Sequence, residues 1–161
     1  MTAEEIYRDL ARQVLGFLRA RRSTDPEDLT GEVFLQVSRD LPRFRDADDP
    51  AAVRRWVFTI ARNRAIDAER RARRRPVQAT AVLPEVEAPA TAAEIDEDLL
   101  AALAALTDDQ REVVTLRFVA DLPLEDVARI TRRSTGATKS LQHRALENLR
   151  QAVSPEGPAT L

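Results

Sequence analysis

Pro123–Leu146 reads PLEDVARITRRSTGATKSLQHRAL. A short amphipathic segment, "LEDVARI", is followed by a tight turn and then by a longer segment that opens at Ser134. Serine suits a helix N-cap because its side-chain oxygen accepts from the exposed N–H groups of the first turn. Beyond it, Lys139, His143 and Arg144 recur on the outward side of the predicted helix. Short helix, turn and longer basic helix form the helix-turn-helix order, in which the second helix enters the DNA major groove. Helix N-termini and basic side chains hold phosphates while the first turns reach base edges. That makes Lys139, Ser140 and Arg144 candidate contacts. His143 is the only histidine of the chain, so it reads as a phosphate or groove contact and not as a metal ligand.

Working upstream, "TDDQ" (Thr107–Gln110) has the spacing of a capping box. It opens a helix whose expected core side chains are Val113, Val114, Leu116 and Phe118. Leu99, Leu100, Leu103 and Leu106 mark the end of the helix before. Further back, "PVQATAVLPEVEAPATAA" (76–93) has three prolines and no periodicity, the pattern of a linker. Residues 1 to about 75 return to helical spacing. Ile6, Leu10, Val14, Phe17 and Leu18 make one helix face, and Leu29, Val33, Phe34, Val37 and Leu41 a second. Asp25-Pro26 and Asp49-Pro50 each read as a helix start, aspartate capping and proline at the first helical position. Val53, Trp56, Val57, Ile60 and Ala61 are the expected core stripe of the third helix. No strand alternation is visible, so the fold class is all-α, two small helical domains joined by a linker: 1–75, 76–93 as linker, 94–154, and a tail at 155–161.

Charge is unevenly spread. The 161 residues carry a net charge of −2, yet nine arginines lie between Val53 and Arg75 against Asp67 and Glu69, a local +7. From Pro76 through Asp98 there are six acids and no base. Local charge governs phosphate binding, so an acidic total is compatible with a nucleic-acid partner. Arginine binds phosphates bidentately and stacks on bases. Trp56 reads equally as a core side chain and as a platform for an unpaired base, and Asn63 can read a base edge. The acids Asp28, Glu32 and Asp40 have no nucleophile or ligand set beside them. They fit a helix dipole and a protein-docking face better than a catalytic carboxylate pair. The chain has no cysteine, which excludes disulfides, thiol nucleophiles and cysteine zinc sites. No apolar run approaches a membrane span, and the N-terminus does not read as a signal peptide. A cytoplasmic protein, without enzymatic activity, metal or cofactor, is the expectation.

The order "EDLTGEVFLQVSRDLPRF", "WVFTIARNRAID", an arginine run, a linker, and "LTDDQREVVTLRFVADLPLEDVARI…STGATKSLQHRALENL" resembles the extracytoplasmic-function class of bacterial sigma factors. The resemblance implies two helical domains, regions two and four, that bind core RNA polymerase and direct it to promoters. It implies that Asp28, Glu32, Phe34, Arg43 and Phe44 lie at or beside the polymerase-docking segment. Trp56, Ile60, Asn63 and Asp67 then fall in the segment that melts and reads the minus-10 element, with Asn63 at a pocket for a flipped base. Arg70, Arg71, Arg73, Arg74 and Arg75 would guide the DNA backbone. Thr135, Lys139, Ser140, His143 and Arg144 align with the minus-35 reading helix. An anti-sigma partner is implied as well. The chain departs from the family pattern at Gly31, where glutamine is usual. It departs again at Arg132 and Arg133, where the turn commonly has glycine and an apolar residue, and at Thr138, Leu141 and Gln142 in the recognition helix. The alternative is a helix-turn-helix regulator that does not act through core polymerase.

Overall fold

The computed structural model describes residues 1–74 and 96–153. Arg75, the expected linker and the expected tail lie outside them. The chain divides into two compact units, Met1–Ala93 and Glu94–Leu161, and the described residues contain helices and turns but no strand.

The first unit holds α1 (Ala3–Ala20), α2 (Pro26–Asp40), a 3₁₀ turn (Leu41–Arg43) and α3 (Pro50–Arg74), and the three α-helices pack against one another. Thr2 starts α1 with a reciprocal capping box to Glu5. The Asp49 side chain accepts from the Ala51 N–H at 3.1 Å where α3 begins. Asp25 does occupy the N-cap position of α2, but its backbone is left-handed and its side chain makes no capping bond. The expected stripe of α1 is buried throughout, and Val33, Val37, Val53 and Val57 close over it. Phe58, which the sequence pattern did not single out, is fully buried and meets Phe17 edge-on, ring centroids 5.7 Å apart. Polar ties cross between helices. Arg54 donates to Gln13 at 2.6 Å, Arg64 to Gln36 at 2.9 Å and Arg21 to Glu69 at 3.0 Å.

The second unit holds α4 (Glu97–Ala104), α5 (Asp108–Val114), a π-helical continuation (Thr115–Val119), α6 (Leu124–Thr131) and α7 (Thr135–Val153). Helix α7 packs on α4, α5 and α6. The capping box of Thr107 and Gln110 is present. Arg111 reaches back to the end of α4, donating to the carbonyls of Leu103 (2.9 Å), Ala104 (3.2 Å) and Leu106 (2.9 Å). It thereby satisfies backbone acceptors that a helix end leaves without partners. Leu103, Leu106, Val113, Leu116, Leu122 and Val127 form the core, but Phe118 is 49% exposed. A π turn takes an extra residue per turn, so side chains after it leave the register set by those before it. That is why Phe118, one turn after the buried Val114, reaches solvent instead of the core. Leu99 is likewise exposed.

Candidate nucleic-acid interface

On α3, Trp56, Asn63, Asp67, Arg70 and Arg74 follow one another at three-, four- and seven-residue steps and so share a face. Trp56 is half-buried; the other four are exposed. Trp56 is not a core side chain like its neighbours Val53 and Val57. It lies flat against Phe44 from the loop before α3, with ring centroids 4.3 Å apart and planes 8° from parallel. Phe44, expected with the docking residues, is thereby joined to Trp56. No periodicity marks a loop residue, so sequence spacing could not reveal this pairing.

The arginine run divides. Arg54 and Arg64 are held by α1 and α2, so the local count of +7 overstates the charge left to meet phosphates. Arg70, Arg71, Arg73 and Arg74 are exposed. Arg73 falls off the row of Asn63 and Arg70. Arg71 lines a shallow groove between α2 and α3 with Thr24, Asp25, Asp28, Leu29 and Glu32, which places it beside the acids expected at the docking segment.

On α2, Asp28 is exposed and Glu32 half-buried, its carboxylate 3.9 Å from Arg64. Gly31 lies between them, and a Cβ added there would meet nothing within 4 Å. Phe34 is only 8% exposed and packs edge-on against Tyr7, centroids 5.0 Å apart. It therefore stands beneath the surface, and the apolar groups that reach solvent there are Tyr7 and Leu35. Arg43 is exposed, its guanidinium 3.4 Å from Asp40. At the start of α2, the Arg19 guanidinium donates to Glu27 at 3.0 Å and holds that carboxyl below its ordinary pKa.

In the second unit, α7 turns Thr138 and Ala145 inward. Thr135, Lys139, Ser140, His143 and Arg144 are all exposed. Ser134 caps the helix, its Oγ accepting from Ala137 N–H at 3.1 Å. His143 Nε2 lies 3.3 Å from Glu147, so this candidate contact has an acidic neighbour one turn on. Leu141 and Gln142 are half-buried at the flanks of the packed face. Among the described residues no group of three or more His, Cys, Asp or Glu side chains is placed to hold a metal ion, and no helix is long and apolar enough to cross a membrane.

Each of the two units matches a known family model in sequence. The sigma-70 region 2 model matches residues 6–75, and the sigma-70, region 4 model matches residues 102–151. The RNA polymerase sigma factor CarQ of Myxococcus xanthus is 35% identical over 158 residues, covering 93% of this chain and 88% of that protein. The ECF RNA polymerase sigma factor SigD of Mycobacterium tuberculosis is 30% identical over 166 residues, 95% and 77% respectively. Among solved structures, the sigma factor RpoE of Bartonella quintana, in complex with the anti-sigma factor NepR, has the same fold. The TM-score is 0.72 at 21% identity, across 94% of this chain and 96% of that one. CnrH, in complex with the cytosolic domain of CnrY, superposes at a TM-score of 0.69 with 18% identity, across 96% and 89%. The chain belongs to the extracytoplasmic-function class of the sigma-70 family. Members of that family bind core RNA polymerase and direct it to promoters, and the reading as a regulator independent of polymerase is not favoured.

Proposed function

We propose that the first unit docks core polymerase and opens and reads the minus-10 element, while the second reads the minus-35 element as duplex. The observation that carries this is the single face of α3. It presents a stacked aromatic pair, an amide at Asn63 and two exposed arginines in sequence along one row. Melting a promoter means holding bases that have left the stack. Extruding a base costs a few kcal/mol, which stacking and phosphate contacts offset. Trp56 and Phe44 supply the aromatic surface, Asn63 and Asp67 the polar edge, and Arg70, Arg74 and the further arginines Arg71, Arg73 and Arg75 the phosphate contacts. Asp28 and Glu32 on α2, with Phe34 and Arg43 further along the same segment, are the docking residues. Thr135, Lys139, Ser140, His143 and Arg144 are the minus-35 contacts on α7.

On this reading the chain performs no covalent chemistry. Nucleotidyl transfer belongs to the polymerase, and the factor works in the cytoplasm with no cofactor. Domain limits of 1–75 and 94–154, with 76–93 as linker and 155–161 as tail, fit this division of labour. Solved relatives in complex with anti-sigma factors make a partner of that kind part of the proposal. The deciding experiment is co-elution with sigma-free core polymerase on a sizing column. A stoichiometric complex that disappears when Asp28 and Glu32 are changed together to Ala supports the docking face. A complex that survives the change moves docking elsewhere, and no complex at all withdraws the assignment.

A further inference from the structure

The turn that launches α7 carries an arginine at the position where an apolar residue usually braces such a turn. Arg132 has a left-handed backbone, φ 56° and ψ 45°. The Arg132 N–H donates to the Arg129 carbonyl at 3.3 Å and the Arg133 N–H to the Ala128 carbonyl at 3.0 Å. This pair of bonds is the Schellman closure of a helix, in which the residue after the left-handed one normally makes an apolar contact back onto the helix. Here that residue is Arg133. It also directly precedes the Ser134 N-cap of the next helix. That is the position whose apolar side chain normally staples to the fourth residue of the helix it introduces. The fourth residue of α7 is Thr138, fully buried, its hydroxyl donating to the Ser134 carbonyl at 2.8 Å.

An ion pair occupies the place of both devices. The Arg133 guanidinium lies 2.7 Å from Asp109 and 3.7 Å from Glu112, both on α5. Glu112 is 9% exposed at its side chain and Arg133 23%, whereas Asp109 is 66% exposed. Charges withdrawn from water attract one another more strongly than a surface pair, and loss of one partner leaves the other without compensation. The planar fork of arginine can engage two carboxylates at once.

We infer that Arg133 is a positioning residue that clamps the start of α7 onto α5, so that the angle at which α7 meets DNA is set by Asp109 and Glu112. The clamp rests on the reading of α7 as the minus-35 helix. A turn arginine in a DNA-binding unit has an evident rival role as a phosphate contact, and the two roles differ in sign. Were Arg133 a phosphate contact, removing Asp109 would free it and strip an acid from the surface, and binding would tighten. In a clamp, removing Asp109 loosens α7 and binding weakens.

The test uses holoenzyme made from the full chain and sigma-free core polymerase. The probes are a promoter duplex selected by that holoenzyme from a random pool and the same duplex with its minus-35 element scrambled. Asp109→Asn and Arg133→Ala are each expected to lose roughly tenfold in affinity for the intact duplex, the scale of one misplaced base contact, and nothing on the scrambled one. The slope of log affinity against log salt should stay at the wild-type value, whereas loss of a phosphate contact lowers it by about one. Arg133→Lys, which keeps the charge, should recover part of the affinity. Tighter binding by Asp109→Asn, or a salt slope lowered by about one in Arg133→Ala, overturns the clamp. Should Arg133→Ala not fold, Asp109→Asn decides alone. A wild-type holoenzyme blind to the minus-35 element would remove the reading of α7 instead. Amide exchange in the first turn of α7 then still tests the clamp: faster exchange in Asp109→Asn supports it, and unchanged exchange overturns it.

Discussion

Over its 25 residues α3 buries Ala52, Val53, Val57, Phe58, Ile60, Ala61 and Ala65. Helix α7, 19 residues long, fully buries only Thr138 and Ala145. Helix α3 is seated largely by apolar packing, whereas α7, which packs on α4, α5 and α6, also has a side-chain cap from Ser134 and begins just after the Arg133 ion pair. Packing of the first kind resists small changes of angle, because a close-packed core has few alternative arrangements. Polar devices at a helix start involve a handful of atoms, and single substitutions there should shift its placement without unfolding the unit.

The largest effect should come from breaking the packed side. Phe58→Ala removes a fully buried ring together with its contact to Phe17. It should cost about 3–5 kcal/mol, read as a drop in the thermal midpoint of the first unit. A loss below about 1 kcal/mol would mean that α3 is not seated as described. Next is Asn63→Ala, an exposed change on the same helix. It should cost about 1–3 kcal/mol in discrimination at the minus-10 element and leave polymerase co-elution intact. Equal loss of both would end the assignment of Asn63 to a base. On the polar side, Arg132→Gly should raise the stability of the second unit by about 1 kcal/mol, because glycine adopts the left-handed conformation without the Cβ penalty. Chemical denaturation would show it, and a destabilisation would mean that the Arg132 side chain has a contact worth more than the backbone relief. The smallest effect belongs to Glu27. Its folded pKa is depressed, so the pair with Arg19 adds stability above the unfolded carboxylate's pKa and loses it as pH falls through the folded value. Both groups are partly exposed, and Glu27→Gln should remove no more than about 0.5 kcal/mol near neutral pH. It should also make the acid-side decline shallower, and an unchanged decline would assign that slope to other carboxylates.

Much of this was legible beforehand, for reasons that differ by residue. Ile6, Leu10, Val14, Phe17 and Leu18 were readable because an uninterrupted helix keeps its period, and all five are buried. Thr107 and Gln110 were readable because a capping box is a local device. Phe118 was misread because the π turn at Thr115–Val119 breaks the period between it and Val114. Trp56 was ambiguous for a different reason. It keeps step with Val53 and Ile60, and only a loop residue, Phe44, distinguishes it from them. The arginine run was countable but not divisible, since Gln13 and Gln36, which hold Arg54 and Arg64, come from helices distant in sequence. Arg133 was visible as a departure from the family pattern. That it answers Asp109 and Glu112 required the fold to bring α5 alongside the turn.

The Phe44–Trp56 stack has a practical consequence. Trp56 is the only tryptophan in the chain, so the intrinsic near-ultraviolet-excited emission of this protein at long wavelength comes from one indole. That indole is half-exposed, with one face covered by a phenyl ring. Nucleobases quench indole emission on stacking, whereas a phenyl ring does so weakly. The unlabelled protein thus carries its own optical reporter at the surface proposed to receive an unpaired base, and a stopped-flow trace of its emission would time that arrival separately from the duplex binding proposed for α7.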